Sequence, residues 1–90
     1  MITIEVKERG RWRRLPNGPF PITEAQLTEA RKRFAEEQSK ATTFAGARMA
    51  PVTTARQILS EIAPALDSFD LLNLGFAVTI QKVRVTECAF

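Results

Sequence analysis

Apolar and polar residues alternate from the first positions of the chain. Ile2, Ile4 and Val6 are separated by Thr3, Glu5 and Lys7, a period of two that predicts a half-buried strand. Gly10 offers a turn position that tolerates positive φ. Trp12 and Leu15 then follow as apolar contacts on a returning strand, with Arg11, Arg13 and Arg14 around them. The stretch from Ile2 to Phe20 is therefore read as a hairpin. Alternation puts Trp12 on one face and Arg11 and Arg13 on the other. As the largest side chain of a small domain, Trp12 is assigned to the core, with the arginines facing out. Pro16-Asn17-Gly18-Pro19 reads as a tight loop into the next element, because the two prolines cannot donate to a ladder.

The period then lengthens. Leu27, Ala30, Phe34 and Ala41 fall on one helical stripe, opposite Glu29, Lys32, Arg33, Glu36 and Glu37, which predicts an amphipathic helix from about Glu24 to Ser39. Thr23 and Gln26 have capping-box spacing, and Ile22 with Leu27 has that of a hydrophobic staple. Charges at i,i+4 are expected to pair along this helix. The segment Ala41 to Pro51 has no clean period; Phe44 and Met49 within it are candidates for core or contact, and with Arg48 they are the secondary interface candidates. A second helix is predicted after Pro51, with Thr53 or Thr54 as cap and Ala55, Ile58, Leu59, Ile62 and Leu66 as its apolar face. Pro64 should end it. Asp67 or Ser68 then caps a short helical turn through Leu72, stopped near Gly75. Phe76 to Thr86 reads as a strand with Phe76, Val78 and Ile80 on one face. Val83 and Val85 fall on the other parity, so a bulge or turn is expected at Gln81-Lys82.

The predicted order is β-β-α-α-β. Two amphipathic helices need a common apolar surface, and the strands carry one such face each. The expected fold is α+β: a two-layer single domain, residues 1–90, with a small, mainly antiparallel sheet packed on the helices. The first and last strands are candidate neighbours in that sheet.

Composition changes this picture in one respect. The chain has 90 residues and a net charge of +3. The first 20 residues carry Lys7, Arg9, Arg11, Arg13 and Arg14 against Glu5 and Glu8, which accounts for the whole surplus. The rest is exclusion. There is no histidine and one cysteine, Cys88, so the usual nucleophile–base arrangements are largely excluded and an internal disulfide is impossible. The four glycines are scattered as turn and stop residues and form no phosphate loop. No cofactor and no metal site is expected, and the chain is read as non-enzymatic. With no membrane-length apolar run and no signal-peptide pattern, a soluble protein of the reducing cytoplasm is the expectation.

What remains is surface. Arg9, Arg11, Arg13 and Arg14, with Trp12 as contact or support, are the candidate macromolecule-binding residues. A protein partner is the leading expectation, since arginine and tryptophan are enriched at interface hot spots. Nucleic acid is the alternative, with arginines on phosphates and the indole stacked on a base. A phage structural or assembly role and self-association into a homo-oligomer are the remaining options. This compact, motif-poor chain with a basic hairpin resembles, in size and character, the small accessory proteins of bacteriophages and mobile elements, including anti-CRISPR inhibitors. The resemblance implies stoichiometric binding that blocks a nucleic-acid-handling complex.

Overall fold

A computed structural model describes residues 1–41 and 51–88; the expectations for Phe44, Arg48 and Met49 lie outside the described residues. The elements are β1 (Ile2–Glu8), β2 (Arg11–Arg14), α1 (Glu24–Ala41), α2 (Pro51–Ile62), α3 (Ser68–Thr79) and β3 (Val83–Glu87). The three strands form one antiparallel sheet in the order β2-β1-β3. The fold is α+β as expected, with a third full helix, so that the order is β-β-α-α-α-β.

β1 is the central strand, and its alternation holds throughout. Ile2, Ile4 and Val6 are fully buried and join Leu27, Ala30, Ala55, Leu59, Leu74, Ala77 and Val78 of the helices in one core. The hairpin between β1 and β2 turns on Arg9 and Gly10, both at positive φ (52° and 79°), the pattern of a two-residue type I′ turn. Beyond β2 the chain loops through Asn17, also at positive φ, and a cis Gly18–Pro19 bond. Phe20 then exchanges backbone hydrogen bonds with Ile2 at 2.7 and 3.0 Å. Phe20 is the largest fully buried side chain and takes the place in the core that the sequence had reserved for Trp12.

α1 starts with the capping box. The Gln26 N–H donates to Thr23 Oγ1 at 3.1 Å, and the Thr23 N–H donates to Gln26 Oε1 at 2.9 Å. Ile22 and Leu27 are both buried beside it, as a staple requires. Leu27 and Ala30 lie in the core with Phe34 packed against it; the side chain of Ala41 lies outside what the structure describes. Two arginines of this helix reach outward to other elements. Arg33 pairs with Glu61 of α2 at 2.8 Å, and Arg31 donates to the carbonyls of Ile80 and Gln81 at 3.0 Å each. Arg31 thus satisfies carbonyls left open at the end of α3.

α2 begins at Pro51, one turn earlier than expected, so Thr53 and Thr54 lie inside the helix rather than capping it. Proline is suited to a first helical position, where its missing N–H costs nothing. The helix stops at Ile62, before Pro64. Asp67 then caps α3, its Oδ1 accepting from the Asp70 N–H at 2.7 Å.

α3 corrects the reading of the C-terminal third. Phe76, Val78 and Ile80 do not form a strand. Residues 68–79 are one helix, and β3 begins only at Val83. The adjacent residues Ala77 and Val78 are both buried, which a pleated strand with one covered face cannot achieve. Gly75 does not stop the helix; it lets α2 approach. A Cβ on Gly75 would sit 2.7 Å from Arg56 Cγ. Tertiary packing here overrides the modest helix propensity of Phe, Val, Thr and Gly. The parity break seen at Gln81-Lys82 is the junction between helix and strand.

No helix among the described residues is long and apolar enough to cross a membrane.

Candidate macromolecule-docking surface

Strand register decides where the basic residues go. Residues directly opposite in an antiparallel pair share a face. Lys7 lies opposite Trp12, Glu5 opposite Arg14, and Glu5 also opposite Arg84 on β3. Since Ile4 and Val6 face the core, Glu5 and Lys7 face solvent, and so do Trp12, Arg14 and Arg84. The assignment of Trp12 to the core is therefore reversed. Trp12 is 39% exposed, on the face of the sheet away from the core. Arg11 and Arg13 have the inward parity, Arg13 opposite Val6, but all four residues of β2 are exposed. The inward parity of β2 therefore meets water as well.

Trp12 is held by cations. The Arg84 guanidinium lies over the indole at 4.3 Å from the ring centroid, and the Lys7 ammonium at 5.8 Å. Arg84 reaches across β1 to make this contact while its Nε donates to Glu5 Oε1 at 3.2 Å. Stacking and the ion pair together fix the guanidinium, which leaves its terminal nitrogens as oriented donors. At exposed positions each such contact is worth only about 0.5–1 kcal/mol, so the arrangement orders the surface more than it stabilises the fold.

Glu8 and Arg13 pair diagonally at 3.3 Å. Glu8, Arg9, Arg11, Trp12 and Arg13 line a shallow hollow at the tip of the hairpin. The Lys7 N–H donates to the Lys82 carbonyl at 3.1 Å, which brings Lys82 to the same end. This half of the sheet collects seven cations, Lys7, Arg9, Arg11, Arg13, Arg14, Lys82 and Arg84, with two carboxylates, Glu5 and Glu8. The local surplus exceeds the net +3 of the whole chain. Arg9 adds a second signal. It stands at φ 52°, a conformation that asparagine or glycine adopts more readily than arginine.

Of the five expected residues, Arg9, Arg11, Trp12 and Arg13 meet at the hairpin tip, while Arg14 stands on the outer face of the sheet, opposite Glu5. The structure adds Lys7, Lys82 and Arg84, of which the last two come from the opposite end of the chain. A signal for Arg84 existed: it alternates with Val83 and Val85 and therefore has outward parity once the first and last strands are paired. A second exposed feature lies on α3, where Phe69, Leu72 and Phe76 are 57, 49 and 40% exposed. Their i, i+3, i+7 spacing makes a short apolar stripe on its outer side. Among the described residues no group of three His, Cys, Asp or Glu side chains could hold a metal ion. Comparison with protein-family models, with curated proteins and with solved structures finds no match to this chain.

Proposed function

We propose that the protein is a non-enzymatic binding protein that docks on an acidic surface of a protein partner, as an inhibitor or assembly component. One observation carries this reading: seven cations and two carboxylates at one end of the sheet, gathered around an exposed tryptophan that Arg84 and Lys7 hold in place. The stacked Arg84 and the ordered Trp12 lose little side-chain entropy on docking, and arginine and tryptophan are the residue types on which interface energy concentrates. In character the chain resembles phage-type accessory proteins, and the reading extends to blocking a nucleic-acid-handling complex in the cytoplasm.

A second reading, direct nucleic-acid binding, gains from the exposure of Trp12, because an indole on an open sheet can stack on a base. It is placed second because one cation already lies over the ring at stacking distance. A base would have to displace Arg84 or stack on its outer side.

Affinity capture from the native host with and without nuclease separates the two. Protein docking predicts that a defined partner is retained after nuclease treatment. It also predicts that changing Arg11, Arg13 and Arg14 together to Glu abolishes capture while the fold survives. Unchanged capture by that variant would place the interface elsewhere. For the second reading, binding to DNA and RNA should be detectable at about 50 mM salt and fall steeply as salt rises; no binding there ends it.

A further inference from the structure

We propose that the free edge of β2 takes an extended, acidic segment of the partner as a fourth strand of the sheet; this rests on the docking reading and specifies its mode. Among the described residues β2 is an edge strand, with β1 on one side only, and every one of its residues is exposed. The direction of its backbone groups follows from one contact. The Leu15 N–H donates to the Ile4 carbonyl at 2.9 Å, which makes Ile4–Leu15 a hydrogen-bonded rung. Rungs alternate in an antiparallel pair, so Val6–Arg13 and Glu8–Arg11 bond inward. The N–H and C=O groups of Trp12 and Arg14 then point to the free edge. These are the groups that an added strand pairs with.

Charge selects the occupant. A second copy of β2 would set arginine against arginine across the new pair, which is unfavourable. An acidic strand would set carboxylates against Arg11 and Arg13 on one face and Arg14 on the other. The opposite edge of the sheet is a poorer candidate. β3 presents one arginine, Arg84, which is already paired with Glu5, and Glu87, which accepts from the Glu24 N–H at the start of α1. Pro16, one residue past Leu15, limits the added strand to a short one.

The test uses the full chain and two labelled synthetic peptides followed by fluorescence anisotropy. One alternates Glu and Val; the other has the same sequence with every backbone nitrogen methylated, which keeps every charge and removes the N–H donors of both strand edges. Strand addition predicts that methylation weakens binding by about tenfold or more. It also predicts that the Trp12 and Arg14 amide signals move on adding the unmodified peptide. Arg14→Pro, which deletes one outward N–H without touching an inward rung, should weaken that peptide well beyond Arg14→Ala. Equal binding of the two peptides, equal effects of Arg14→Pro and Arg14→Ala, or no binding by either peptide overturns the proposal. Such a result, together with loss of partner capture by the Arg11, Arg13, Arg14 to Glu variant, would remove strand addition and leave docking intact. Capture unchanged in that variant would remove the docking reading itself.

Discussion

Along β1, successive residues alternate between two environments that differ in almost every physical respect. Ile2, Ile4 and Val6 are sealed against three helices. Thr3, Glu5 and Lys7, one residue away in each case, belong to a face that none of the described helices covers and that carries Trp12, Arg14 and Arg84. The inner face is stabilised by removal of apolar area from water and is sensitive to shape. The outer face is organised by stacking and charge, contributes little to stability, and is free to be read by a partner. The molecule places its only tryptophan, the residue with most apolar area to bury, on the second face. That placement is the observation on which the proposed docking surface rests.

The comparison can be broken most severely by truncation. Ile4→Ala should cost about 2–5 kcal/mol in urea unfolding, since a fully buried side chain leaves a cavity. Lys7→Ala, on the other face of the same strand, should cost no more than about 1 kcal/mol, the value of its contact with the indole. Similar costs for the two would mean that the faces are not distinct. A smaller effect is expected where α2 and α3 meet. Gly75→Ala should destabilise by about 1–2 kcal/mol, because the added carbon meets Arg56 and overpacking outweighs the gain in helix propensity. In an Arg56→Ala background the same substitution should become stabilising. Additive effects would show that the close approach is not what requires glycine.

Arg9→Asn sharpens the comparison in the other direction. It should raise stability by about 0.5–1 kcal/mol, by giving the turn the pair it favours, and should weaken partner capture. A variant that gained stability with no loss of capture would remove Arg9 from the surface. The smallest effect concerns acid. Burial, and then the nearby Asp67 carboxylate, push the Asp70 carboxyl above its usual 3.8. A group with a raised folded-state pKa favours the fold below its unfolded value and loses that contribution as pH rises through the folded one. Asp70→Asn should therefore be slightly more stable than the parent at neutral pH, with the difference shrinking toward pH 3.8. A difference that grew in acid would contradict the sign.

How far the sequence carried the fold depended on whether local signals agreed. In β1, the capping box at Thr23 and Gln26, the helix stop at Pro64 and the Asp67 cap, pattern and chemistry pointed the same way. In α3 they conflicted. The alternation of Phe76, Val78 and Ile80 imitates a strand, and only the packing of Ala77 and Val78 into a shared core makes the segment helical. The basic surface was half legible. The hairpin arginines are contiguous in the chain, whereas Lys82 and Arg84 join them through the pairing of β1 with β3, which no local pattern encodes. Trp12 was misplaced for a related reason. Its size argued for the core, but register across a two-residue turn fixes its face, and Phe20 fills the space instead.

Because Trp12 is the only tryptophan, its fluorescence reports on the central claim directly. Quenching by iodide and by caesium, measured on the folded chain at low salt, separates exposure from charge. A solvent-facing indole among seven cations should be quenched strongly by the anion and weakly by the cation, with the two converging as salt screens the field. A blue-shifted emission that neither ion quenches would put Trp12 back in the core and contradict the account.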